Sequence, residues 1–205
     1  MSKSYSYLEV ICGCMFSGKS EELNRRVRFA RIGQLKVQVF SHVSDIRHDT
    51  GKTANQSELD LPVIAVGEAA RILELTEANT DVVAVDEAQL FDWALAEVAE
   101  KLVLRGVRVI IAGLDLDFRG EPFGVIPLLM AQADYLTKFN ALCVICSDPA
   151  SRTQWLIDGR AADYNETQFV VGDSETYEAR CRLHHEVPGK PRVGIVPRQV
   201  GVDVE

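Results

Sequence analysis

The first 113 residues alternate between two hydrophobic periods. Residues 7–11 form an apolar stretch that runs into a glycine, the signature of a strand entering a turn. Over residues 17–31, Leu23, Val27 and Ala30 recur at helical spacing, and Gly33 marks the stop. Residues 35–41 alternate apolar and polar as a strand does, and residues 67–75 read as a short helix. Residues 81–87, DVVAVDE, begin as an unbroken β-branched run of the kind found in parallel strands buried on both faces. A second amphipathic helix is predicted over 93–104, with Leu95, Val98, Ala99 and Leu102 aligned, followed by a buried strand over 107–113. Strands alternating with helices predict an α/β fold: a mostly parallel sheet with helices on both faces.

The pattern changes near residue 142. The last third has fewer apolar runs, more Gly, Asp, Arg and Thr, and three of the five cysteines. This predicts a main α/β domain over 1–141, a small appended domain over 142–187, and an extended or disordered tail over 188–205 containing Pro188, Pro191 and Pro197. A chain of 205 residues suits that division. The balance of 22 basic and 30 acidic residues, net −8, argues against a nucleic-acid partner. Arg25, Arg26, Arg28 and Arg31 form the one basic cluster, read as a solvated helix face, with phosphate steering as the alternative. No secretory signal and no run of 18 apolar residues is visible, so no membrane association is expected. Five unevenly spaced cysteines make a poor disulfide framework and fit a reducing cytoplasm.

Candidate chemistry begins with Gly13-Cys14-Met15-Phe16-Ser17-Gly18-Lys19-Ser20, a match to G-x-x-x-x-G-K-[ST] between a strand and a helix. Such a loop curls its backbone N–H groups around phosphate oxygens, and the following helix adds its positive end. Lys19 is expected to reach the β- and γ-phosphates and the Ser20 hydroxyl to sit on Mg²⁺. Asp86, at the carboxyl end of a strand, is placed to share that Mg²⁺. Glu87 beside it can take a proton from an attacking group, either water or a substrate hydroxyl. A helicase would need two tandem motor folds, more chain than is present.

Cys143-Val-Ile-Cys146 and Cys181-Arg-Leu-His184 repeat one spacing, which predicts a closed, structural Zn²⁺ site of the Cys₃His type. His185 is an alternative fourth ligand. Cys12 and Cys14 read as small residues, with an exposed Cys14 thiol near the phosphates as the alternative.

Together these elements resemble the thymidine kinase family of the cytosolic type, which joins a P-loop NTPase-like domain to a zinc-bound lasso. The resemblance runs over residues 8–184 and rests on GCMFSGKSEEL, SDIR, DEAQLF, AGLDLDFRGEPFG, CVIC, SRT and VVGDSETYEARCRLHH, in that order. It implies that Glu87 is the base for a nucleoside 5′-hydroxyl and that Asp86 and Ser20 accompany Mg²⁺. Asp45, Arg47 and Gln89 are implied in the ATP site. Met15, Leu114, Phe118, Phe123 and Tyr177 are implied around the nucleoside, with Phe118 as the stacking ring. Thr153 and the segment Gln168, Phe169, Val170, Val171 and Gly172 are implied in the lasso. The resemblance further implies ATP as donor, thymidine or deoxyuridine as acceptor, dTTP as a candidate feedback inhibitor and a homotetramer. Three positions depart from the family pattern: Leu90 where an aromatic is usual, Cys14 where proline or alanine is frequent, and His184 in place of a fourth cysteine. Cys14 is thereby expected to confer sensitivity to oxidation. The polar segment 47–59 is expected to be a mobile loop. Other readings remain open: a different P-loop transferase, such as a corrinoid adenosyltransferase, and an ATP-dependent zinc-ribbon nucleic-acid binder.

Overall fold

The computed structural model describes residues 6–45, 61–167 and 177–191. Six strands form the main sheet: β1 (Leu8–Gly13), β2 (Val37–His42), β3 (Val63–Val66), β4 (Val82–Val85), β5 (Arg108–Gly113) and β6 (Tyr135–Phe139), in the order β3-β2-β4-β5-β1-β6. Every pairing is parallel. Parallel neighbours need crossovers, and α1 (Lys19–Ile32), α2 (Ala69–Leu75), α3 (Ala94–Leu104) and α4 (Ile126–Gln132) lie among them.

The two-residue period of a strand sends neighbouring side chains to opposite faces. Val10, Val83, Val109 and Ile111 pack on one side with Ile72 of α2, Leu95 and Leu102 of α3 and Leu129 of α4. Ile11, Val82, Ala84 and Ile110 pack on the other with Leu23, Val27 and Ala30 of α1. Both faces of the central strands are therefore dry, as their unbroken apolar sequences predict.

Several boundaries differ from expectation. Helix α1 starts at Lys19 because Ser17 and Gly18 belong to the phosphate loop. Strand β4 stops at Val85, and Asp86 and Glu87 turn out of it into a short 3₁₀ turn, Ala88–Leu90. β3, α4 and β6 go unanticipated. The first is four residues long, the second is seven residues with Pro127 in its first turn, and the third is a half-exposed edge strand of mixed polarity.

Three of the four clustered arginines fit the solvated-face reading, and the fourth fits neither reading. Arg25, Arg28 and Arg31 are exposed. Arg26 turns inward to the buried Glu9 at 2.5 Å and to Glu22 at 2.8 Å, and Arg108 closes on Glu9 from the far side at 2.5 Å. Among the described residues no helix is long and apolar enough to cross a membrane.

After β6 the chain builds two small antiparallel sheets. β7 (Ala141–Leu142) pairs with β8 (Pro149–Ala150), and β9 (Arg152–Ile157) lies between β10 (Arg160–Ala161) and β11 (Tyr177–Arg180). Asp158 and Gly159, both with positive φ, make the tight turn from β9 to β10.

Candidate active site

The carboxyl ends of the parallel strands carry the phosphate loop. Gly13 has φ 146°, and a Cβ there would lie 2.4 Å from the Phe139 carbonyl oxygen, so no larger residue fits between β1 and β6. Gly18, φ 86°, turns the chain into α1. Lys19 is 8% exposed and donates to the Cys14 carbonyl at 2.7 Å, which holds its ammonium inside the curl of the loop. Phe16, φ 62°, is exposed at the loop tip.

Cys14 corrects an expectation. It is 2% exposed, its Sγ is turned to the Ala150 carbonyl at 3.2 Å, and burial raises its pKa. It packs with Ala141, Cys143, Ala150, Ala179 and Cys181, away from solvent. An exposed, oxidation-prone thiol is therefore excluded at this position. Cys12 is buried as well, and burial, followed by the nearby Asp115, pushes its pKa up to about 11.

Asp86 and Glu87 lie across from this loop. The Ser20 hydroxyl donates to Asp86 Oδ2 at 3.1 Å, joining the two groups expected around Mg²⁺. The Glu87 N–H donates to Asp86 Oδ1 at 2.9 Å. Glu87 has φ 50°, a left-handed conformation costing about 1 kcal/mol or more for a non-glycine residue. Gln89 holds it there. The Gln89 Nε2 donates to Glu87 Oε2 at 2.6 Å, and its Oε1 accepts the Leu114 N–H at 2.9 Å. Gly113 makes room for this amide, since a Cβ there would meet Gln89 Oε1 at 2.7 Å, and Gly124 makes room for the residue's backbone, since a Cβ there would meet the Gln89 carbonyl oxygen at 2.6 Å. Both ends of the amide are thus occupied by protein. Asp45 is buried just beyond the end of β2, while Arg47 lies outside the described residues.

The loop after β5 carries the implied nucleoside residues. Asp117 accepts the N–H groups of Arg119 and Glu121, folding residues 117–121 into a tight turn that closes at Gly120, φ 71°. Phe118 is 7% exposed. Its ring meets Trp155 at 5.1 Å and 77°, and the Arg119 guanidinium lies 4.8 Å from its centre. Trp155 stacks on Tyr177 at 6.3 Å. Leu114 and Phe123 are half-buried in the same loop. Thr153, on β9, accepts the Met15 N–H at 3.1 Å, so the phosphate loop is fastened directly to the antiparallel unit. Residues 168–172 lie outside the described residues.

Cys143, Cys146, Cys181 and His184 converge, with their ligand atoms all within 4.8 Å of one another. Cys146 Sγ to Cys181 Sγ is 3.8 Å and Cys181 Sγ to His184 Nδ1 is 3.3 Å. Tetrahedral zinc with bonds of about 2.3 Å to sulfur sets ligand atoms roughly 3.8 Å apart, so both the donor set and its spacing fit Zn²⁺. Burial opposes ionisation of Cys143, but N–H groups of Cys181, Ile145 and Cys146, with the His184 ring, pull its pKa down to about 6. His185 points elsewhere: its Nε2 lies 2.8 Å from the Phe118 carbonyl, and burial lowers its pKa.

Residues 6–185 match the family model described as thymidine kinase. A thymidine kinase of Coprothermobacter proteolyticus is 48% identical over 184 residues, covering 90% of this chain and 92% of that one. The chain belongs to the thymidine kinase family. Among solved structures, the flagellar accessory protein FlaH of Methanocaldococcus jannaschii superposes with a TM-score of 0.50 at 14% identity, over 70% of this chain and 74% of that one. That likeness concerns the fold alone.

Within this family frame, one residue and one contact stand out beyond what is legible in sequence. Trp155 sits between Phe118 and Tyr177, 3% exposed, with no partner for its indole N–H among the described residues. A tryptophan on a short strand carries no motif, and only its neighbours reveal its place. Gln89 stands in the DE-x-Q element, but its grip on Glu87 depends on Leu114, Gly113 and Gly124, all distant in sequence.

Proposed function

We propose that this protein is an ATP-dependent thymidine kinase acting in cytoplasmic nucleotide salvage. It transfers the γ-phosphoryl group of ATP to the 5′-hydroxyl of thymidine or deoxyuridine. The observation that carries this reading is the Ser20–Asp86–Glu87–Gln89 chain of hydrogen bonds beside the phosphate loop. A carboxylate held by the Gln89 amide, next to the phosphate site, suits proton removal from a positioned hydroxyl. In this reading the loop N–H groups and Lys19 hold the phosphates, and Ser20 and Asp86 hold Mg²⁺, which would neutralise charge on the β- and γ-oxygens. Glu87 accepts the 5′-hydroxyl proton, and Gln89 acts as a positioning residue that aims Oε1 of Glu87 by holding Oε2. Arg47 offsets charge near the phosphates.

The thymine and sugar are assigned to Met15, Leu114, Phe118, Phe123 and Tyr177, with Thr153 and residues 168–172 as the lasso's contribution. Arg119 lies over the Phe118 ring, so the base is assigned to the opposite face. Cys143, Cys146, Cys181 and His184 hold a structural Zn²⁺ that ties the two ends of the lasso, dividing the chain into a kinase unit over 1–141 and a zinc unit over 142–187. A homotetramer and inhibition by dTTP accompany this reading.

The test is a phosphorylation assay with Mg-ATP and, in parallel, thymidine, deoxyuridine, deoxycytidine and no nucleoside, with products identified by mass. Monophosphates from thymidine and deoxyuridine alone are expected. ATP consumption without a nucleoside product would overturn the assignment.

A further inference from the structure

A second concave site lies on the other side of the turn that carries Phe118. It encloses about 310 Å³ and is lined by Arg119, Arg152, Arg182, His185 and Lys190, together with Gly120 and Val187. No carboxylate lines it, in a chain whose formal charge is −8. None of these residues belongs to the phosphate loop, to Asp86 and Glu87, or to the Phe118–Trp155–Tyr177 cluster.

The charges in this site are unequally satisfied. Arg119 is largely spent: Nε donates to the Tyr164 carbonyl at 2.7 Å, Nη2 to the Glu166 carbonyl at 2.6 Å, and Nη1 lies 3.6 Å from Asp117. Lys190 donates to the Arg119 carbonyl and lies 3.7 Å from Glu121. Arg152 is different. It is 9% exposed, its Nη1 reaches only the carbonyl and hydroxyl of Ser151, and its other N–H groups have no partner among the described residues. The carboxylate that acts on it through space, Asp115, is held by Lys138 at 2.6 Å. Arg182 makes no hydrogen bond or ion pair among the described residues, and its charge bears unfavourably on Arg152. A buried guanidinium normally has a carboxylate or phosphate against its fork. Here two guanidinium groups face one cavity and none is supplied by the chain.

We propose that this cavity binds a small phosphate dianion, free or as a phosphate monoester, between Arg152 and Arg182. The turn bearing Phe118 supplies one wall and the segment around the metal ligands supplies the other. A bound dianion would cancel the repulsion across that seam and stiffen the support of the nucleoside pocket. The site is separate from the phosphate loop and does not depend on the kinase assignment.

Calorimetric titration of the zinc-loaded full-length protein tests it, with sodium phosphate and glycerol 3-phosphate added at constant ionic strength. The same titrations are run on Lys19→Ala, which disables the phosphate loop, and on Arg182→Gln, an exposed position suited to leaving the fold intact. Binding that survives Lys19→Ala and is lost in Arg182→Gln is expected. At ten times Kd the ligand should also raise Tm by about 3 °C in Lys19→Ala and not in Arg182→Gln. Response to the free ion alone, or also to the monoester, identifies which form the cavity accepts. Binding abolished by Lys19→Ala and retained in Arg182→Gln would assign the ion to the phosphate loop and overturn the proposal, as would the absence of binding by both probes. Failure of the kinase assay would leave these outcomes unchanged.

Discussion

The two ends of the candidate site are held by different means. At the phosphate-loop end, β1, β4 and β5 are buried on both faces, and the candidate reactive groups at their carboxyl ends are tied by hydrogen bonds of 3.1 and 2.6 Å. At the proposed nucleoside end, the supporting strands are two to six residues long, and the apolar clusters comprise Phe118, Trp155, Ala162 and Tyr177 or the small residues around Cys143 and Cys181. Core packing fixes the first region, and a four-ligand metal centre fits as the anchor of the second. Damage to the first should therefore appear in turnover, and damage to the second in substrate affinity.

The largest expected effect is at Glu87. Glu87→Gln should lower kcat about 10²–10⁴-fold while ATP and thymidine still bind, as read by steady-state kinetics and calorimetry. Near-normal turnover would remove Glu87 as the base. Next, Cys143→Ser or exhaustive chelation should release zinc and raise the thymidine KM about tenfold or more, with ATP affinity little changed. A metal-free protein with an unaltered thymidine KM would break the contrast between the two regions. Gln89→Leu should lower kcat roughly ten- to a hundredfold, the equivalent of losing one buried hydrogen bond to a charge at about 1.5–3 kcal/mol. Its acidic limb in a pH–rate profile should move to higher pH, because the carboxylate loses a donor. A merely structural role for Gln89 would leave that limb in place.

The smallest effect concerns Glu22, whose carboxyl is held at about 2 by Arg25, with burial opposing and Arg26 adding to the pull. Its folded pKa is depressed from 4.5, so its stabilisation is present above that value and fades as pH falls toward 2. Glu22→Gln should cost about 0.5–1 kcal/mol at neutral pH. In thermal melts the gap to the unmutated protein should close over that acid window. A gap independent of pH would show that charge is not its source.

Most of the candidate site is legible in the sequence where its residues are local in the chain. The phosphate loop, the Asp86-Glu87 pair and the two Cys/His pairs each lie within a few residues, so their spacing alone expresses their chemistry. The unbroken apolar runs of β4 and β5 likewise announced a sheet covered on both sides. What escaped notice is set by contacts between distant residues. The edge position of β6 leaves it no apolar run to advertise it. Trp155 has meaning only beside Phe118 and Tyr177. Cys14 reads as a small residue with an exposed thiol as the alternative, and what decides between them is the antiparallel unit that packs over it and accepts its S–H hydrogen bond at the Ala150 carbonyl. Glu87 appeared to be a strand residue, and its left-handed turn follows from the Gln89 amide, which sequence spacing does not display.

The hydrogen bond from the Met15 N–H to Thr153 Oγ1 joins the phosphate-loop backbone to the strand beside the proposed nucleoside pocket. Its consequence is thermodynamic reciprocity. To the degree that one substrate shifts this link, the affinities for the two substrates are coupled, and each must alter the other's dissociation constant by the same factor. Thr153→Val would then weaken that mutual factor more than it weakens either affinity measured alone.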